Sequence, residues 1–169
     1  MISPTMSIQL DVFRHENRSI ELAKFLSRED IGCLGTTDGA DPFIAIVFYV
    51  YDNGRLFFKS RTISGHATHL VDHATASFAI FLKSSTPDAK YGAQLIGRAA
   101  CVRDTQTMKS VVELHCGRFA RPIGKLPSIQ ELCSDKIAST FYQFDILKFK
   151  IIDEDKVRNR TMLQYEDYH

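Results

Sequence analysis

The stretch FIAIVFYVYDNGRLFFKSRTISGHATHL, Phe43 to Leu70, decides the fold. Its opening run, Phe43 to Tyr51, is apolar and rich in β-branched and aromatic side chains, the composition of a strand. Asn53-Gly54 follows at once, and that dipeptide between two apolar runs is the strongest short-range hairpin signal, because both residues tolerate positive φ. Phe43–Tyr51 is therefore expected to pair antiparallel with Arg55–Ser60. The chain then changes period, with a helix expected over His66–His73. Between strand and helix stand Lys59, Ser60, Arg61, Thr62, Ser64, Gly65 and His66, far more polarity than a turn requires. A helix N-terminus leaves backbone N–H groups unpaired and carries about half a positive charge, which a phosphate satisfies. Hydroxyls add neutral donors there, and cations add charge-assisted ones. Two readings stand: the junction holds an anion, or Ser64 is only an N-cap beside a solvated edge of cations.

Working outward, Ser19–Leu26 places Ile20, Leu22, Ala23 and Leu26 at helical spacings after a serine that can cap. Ile31–Thr36 reads as a short strand closed by Asp38-Gly39, Ala76–Leu82 as another, Lys83–Lys90 as a loop and Tyr91–Arg103 as a longer strand. Asp104 or Thr105 can cap a helix whose Met108, Val111, Val112 and His115 share one buried face. A short helix at Ser128–Cys133, a strand at Phe141–Ile152 bent near Asp145, and a last strand within Arg158–Tyr165 complete the pattern. Many antiparallel strands and few helices predict a mainly β fold, a small barrel that removes exposed sheet edges by closure.

The chain has 169 residues, 44% of them apolar, enough for one sizeable core. Residues 1–18 read as an N-terminal extension and 19–169 as a single domain. Lys plus Arg total 21 against 20 Asp plus Glu, a balance without the basic footprint of nucleic-acid binding. Phe43–Tyr51 is the longest apolar run, far short of the ~20 residues of a membrane span, and MISPTMSIQL lacks the pattern of a secretory signal. A cytoplasmic location without membrane contact is the expectation. The four cysteines form no CxxC pair, so neither a zinc site nor a disulfide framework is expected, and Cys33 reads as core. There is no GxSxG, GxxxxGK[ST] or GxGxxG, which removes motif support for acyl transfer, P-loop hydrolysis and Rossmann-type dinucleotide binding.

The order of elements, with YDNGRLFF, a junction carrying Ser-x-x-Ala-x-x-Leu, and ASFAIFL, resembles the pyridoxamine 5′-phosphate oxidase-like FMN-binding split barrels from about Glu21 to Arg103. GRFARP and FYQFDILKFKIIDE resemble the uncharacterised bacterial YhbP-like branch most. The resemblance implies a homodimer with FMN in clefts at the subunit interface. It places the flavin phosphate against Lys59, Ser60, Ser64, Gly65 and His66, with Lys59 and Arg61 able to supply charge from the strand end, and the ring along Ile46, Val47 and Phe48. Gln94 stands two residues beyond an expected glutamine, on the same strand face. Where the best-known oxidases carry Arg-Lys, this chain has Gly65-His66. Near the C-terminus Arg158-Asn159-Arg160 stand without the Arg-x-His that holds substrate in a true pyridoxamine phosphate oxidase, so that activity is not expected.

The expected function is a flavin-dependent oxidoreductase taking a small-molecule substrate or electron donor. The alternative is a non-catalytic flavin- or haem-binding module. His66, His69 and His73, at i, i+3 and i+7, share one helix side and could ligate a metal or haem iron, but no element completes a metal set, and no metal site is expected. Tyr49 and Tyr51 are read as able to face a dimer interface.

Overall fold

A computed structural model of the chain describes residues 17–82, 90–153 and 163–165. Six antiparallel strands close on themselves: β1 (Ile31–Thr37), β2 (Pro42–Asp52), β3 (Arg55–Arg61), β4 (Thr75–Phe81), β5 (Tyr91–Cys101) and β6 (Ser139–Asp153). Neighbours run β3-β2-β1-β4-β5-β6, and β6 pairs back with β3, so neither long edge is left open. A two-residue strand β7 (Leu163–Gln164) adds to β6. The helices are α1 (residues 17–28), α2 (Gly65–Asp72), α3 (Thr105–Arg118) and α4 (Ile129–Leu132).

The hairpin sits where Asn53-Gly54 sets it. Both residues have positive φ, 42° and 75°, and Asp52 pairs with Arg55 directly across the turn. Every element boundary read from the sequence among the described residues lands within two residues of the observed one. The bend expected near Asp145 is a bulge at Leu147, where the β5–β6 register shifts between Ile96 and Gly97. Only Gly fits at 97, since a Cβ would stand 2.1 Å from the Asp145 carbonyl oxygen. Of the last strand, β7 carries part; Arg158-Asn159-Arg160 and most of the Lys83–Lys90 loop lie outside the described residues.

Strand alternation divides the apolar residues between two cores. Inside the barrel, Leu34, Val47, Tyr49, Leu56, Phe58, Phe78, Phe144 and Phe149 pack together, joined by Leu22, Phe25 and Leu26 of α1 and Ala67 and Leu70 of α2. Outside it, Val50, Phe57 and Phe141 meet Met108, Val111, Val112 and Cys116 of α3 and Leu132 of α4. The expected buried face of α3 is thus observed, capped by the Asp104 carboxylate accepting from Thr107 N–H.

Two readings are corrected by this parity. Tyr49 points inward, fully buried, with its hydroxyl donating to the Leu26 carbonyl at 3.2 Å, so it faces no interface. Cys33 alternates with buried Leu34 and lies half-buried on the outer face of β1 rather than in the core. The outer face of β2 that α3 leaves uncovered carries Ile44, Ile46 and Phe48, exposed at 72%, 71% and 57%.

Candidate functional site

A cleft of about 510 Å³ opens where β2, β3 and the start of α2 meet the end of α3. It gathers Ile46, Val47, Phe48, Lys59, Ser60, Arg61, Ser64 and His66. Gly65 opens α2 between two of these residues, its backbone against the Phe43 ring. Gln94 is not brought there: it lines a second cleft, of about 310 Å³, with Cys33, Gly35, Ile44 and Ser77.

Strand parity gives the main cleft two unlike ends. Ser60 follows inward-facing Leu56 and Phe58, and reaches the barrel rim beneath α2. Its hydroxyl lies 2.6 Å from His66 Nε2 and 3.0 Å from Ser64 Oγ. Ser64 Oγ donates to the Arg61 carbonyl at 2.8 Å, so its proton is committed. The shortest contacts are met together when His66 Nε2–H donates to Ser60, Ser60 to Ser64, and Ser64 to the carbonyl; the Ser64–His66 contact at 3.2 Å and that of Ser60 with the Arg61 carbonyl at 3.4 Å are longer. His66 is 7% exposed; burial above all, and then the nearby His69, hold its pKa below the usual value. It is a neutral donor, not a fixed cation.

Ser64 occupies the N-cap position of α2, yet its side chain caps nothing, and no acidic residue stands in the first turn. The helix-start N–H groups thus face this space with donors to offer, while the two hydroxyls and the imidazole are turned to one another and to the Arg61 carbonyl.

The other end is cationic. Lys59 and Arg61 share the outer face with Phe57, turned toward α3. There they meet His115 and Arg121, which complete the lining with Ser139. Burial lowers the Lys59 pKa, and the Arg121 guanidinium lowers it further. Among the described residues no carboxylate lines this cleft, and none forms an ion pair with Lys59, Arg61 or Arg121. Such a surplus of positive charge and N–H donors suits an anion.

His115, Arg121 and Ser139 were not singled out as site residues. His115 was legible as a buried helix position, but not that its face ends at the cleft. Ser139 enters because β6 closes onto β3, pairing with Arg61, and no local signal announces that contact.

The histidine set does not form a metal centre. His69 Nδ1 lies 3.3 Å from Thr36 Oγ1, His73 ends α2 beside Gly39, and His66 is held by serines. Among the described residues no group of three ligating side chains converges. No described helix is long and apolar enough to cross a membrane, and all four cysteines are free thiols.

Residues 19–140 match the family model described as pyridoxamine 5′-phosphate oxidase. No curated protein sequence matches the chain. Among solved structures, a heme binding protein from Mycobacterium smegmatis superposes with a TM-score of 0.67 at 18% identity, covering 91% of this chain and 58% of that longer one. HutZ, a heme storage protein from Vibrio cholerae, gives 0.63 at 16% identity, covering 79% of this chain and 92% of that one. A FAD-binding protein from Mesorhizobium loti gives 0.56 at 14% identity, covering 77% and 90%. At these identities the likeness is one of fold.

Proposed function

The chain belongs to the pyridoxamine 5′-phosphate oxidase-like family of split barrels, and from that premise we propose that it binds FMN in the main cleft as a flavin-dependent oxidoreductase. The observation that carries this reading is the cleft itself: hydroxyl, imidazole and helix-start donors beside cations, without a carboxylate, next to the apolar ribbon of Ile46 and Phe48. The donor set fits a phosphate monoester, and the ribbon fits a flat aromatic ring. Bound flavin would supply hydride or electron transfer at its N5; the chain's part is to bind, orient and exclude water. A phosphate would be held by the free N–H groups at the start of α2 and by Ser60, Ser64 and His66 once their protons turn from one another to its oxygens, with Lys59 and Arg61 balancing its charge from the outer face.

We also read Ile44, Ile46 and Phe48 as the face of a homodimer, whose second subunit would wall the cleft. This accounts for large apolar side chains left bare beside a polar site.

The second reading is a non-catalytic flavin- or haem-binding module. It is favoured by two imidazoles, His66 and His115, on one cleft, and by fold neighbours described as a heme binding protein and a heme storage protein. The visible spectrum of the purified chain after incubation with each cofactor separates the readings. Flavin bands that bleach under anaerobic NAD(P)H support the oxidoreductase, flavin bands indifferent to every donor support the flavin module, and a Soret band with no flavin uptake supports the haem module.

A further inference from the structure

The cationic end of the cleft is built to a depth that a solvated edge does not need. His115 is only 4% exposed, packed between the rings of Phe119 and Phe141 at centroid distances of 4.7 and 5.1 Å, and its Nδ1 has no hydrogen-bond partner. A buried imidazole nitrogen left unsatisfied carries a desolvation cost, and here it belongs to a side chain lining a cleft. Arg121 is brought beside it by a specific turn. Ala120 takes φ +49°, a left-handed conformation that costs a non-glycine residue roughly 1 kcal/mol or more. That turn ends α3 with Phe119 N–H donating to the His115 carbonyl and Arg121 N–H to the Cys116 carbonyl.

We propose that Lys59, His115 and Arg121 form a second anion-binding end of the cleft, separate from the Ser60–Ser64–His66 end, in which the buried imidazole takes up a proton from solvent as a carboxylate or phosphate group arrives. Among the described residues that line the cleft with His115 or pack against it, none supplies a negative charge for that proton. β3 contributes Lys59 and Arg61; the turn after α3 contributes Arg121; β6 contributes the Phe141 ring and Ser139; β2 contributes Phe48; α2 contributes neutral His66; and the end of α3 adds the Phe119 ring and, beside Lys59, the Cys116 thiol. All the formal charges are positive. Burial first, then Arg121 and Lys59, push the His115 pKa down to about 4 in the empty cleft, and an anion among the three offsets that positive field and favours the protonated imidazole. This end shares the cleft with the proposed flavin, but its action does not depend on flavin being the ligand.

The test uses the full chain and inorganic phosphate or malonate, read by the histidine ring signals in NMR. Substituting His115→Gln identifies its resonance among the six histidines. Saturable movement of the His115 signal, with its midpoint raised by at least one pH unit and affinity falling as pH rises, is the expected result. Response to phosphate alone or to malonate alone names the anion class within the proposal. Arg121→Gln, a change at an exposed side chain, should weaken the response roughly tenfold or more, while His66→Gln leaves it intact. A His115 signal unmoved by either probe, or moved equally in Arg121→Gln, would overturn the proposal. So would loss of the phosphate response once FMN is bound, because the two ends would then be one. Failure of FMN to bind, with the His115 response retained, would sink the flavin reading alone.

Discussion

At the scale of single residues, His115 and His66 show how the same side chain takes different duties from its surroundings. His66 spends Nε2 on two serines, whereas His115 keeps a buried nitrogen unpaired between two aromatic rings and two cations. With the cleft empty the fold disfavours the protonated form of His115, while the unfolded chain binds that proton near the ordinary pKa of ~6.5. Between that value and about 4 the unfolded state therefore holds more protons, and stability must fall as pH is lowered. The loss from this group should reach roughly 2–3 kcal/mol by pH ~4 and be absent above pH ~7. Urea unfolding across this range should show that slope in the native chain and a clearly shallower one in His115→Gln; equal slopes would remove the buried neutral imidazole from the account. At this scale the sequence was only half legible. Ser60, Ser64 and His66 could be read because their polarity exceeded what a turn needs, but His115 looked like one more buried helix position.

Elements were the most legible scale, for a physical reason: they answer to local rules. Asn53-Gly54 set the hairpin, Asp104, one of the two residues expected to cap α3, caps it, and the buried stripe of α3 followed its spacing. Where reading failed, the deciding contact was non-local. Cys33 and Tyr49 were misplaced because alternation fixes which residues share a face but not which face is inside; that is set by the closure of β3 onto β6. The bulge was displaced two residues from Asp145 for a similar reason, since its position is fixed by Gly97 on the neighbouring strand. Gly97→Ala tests that point. A Cβ there would meet the Asp145 carbonyl oxygen and the Phe144 ring, so the substitution should cost more than ~2 kcal/mol in unfolding free energy and shift the denaturation midpoint well down. Gly124→Ala, whose added Cβ meets nothing within 4 Å, is the control and should change stability by less than ~1 kcal/mol. Similar losses in both would mean that the bulge does not depend on the close approach.

For the whole molecule, the open question is what covers the outer face of β2. Ile44, Ile46 and Phe48 alternate with inward Ala45, Val47 and Tyr49, so one strand serves the core on one side and presents a bare apolar ribbon on the other. Sedimentation at micromolar concentration should find a dimer, and Phe48→Asp should shift it to monomer by placing a charge in a desolvated interface. A monomer in both would leave the ribbon without the role assigned to it. Fold and family were legible in the sequence because the hairpin, the junction and the strand after it are contiguous; the joining of two unlike ends into one cleft was not, because it depends on α3 returning across the barrel. The central claim is that this cleft takes a flavin by its phosphate, and calorimetric titration with FMN and riboflavin tests it most directly, since the two share a ring and differ in the phosphate. FMN should bind at least ten times more tightly, a difference of about 1.4 kcal/mol, and Ser60→Ala should erode this preference while leaving riboflavin affinity unchanged. Equal affinity for the two ligands, or a preference untouched by Ser60→Ala, would contradict it.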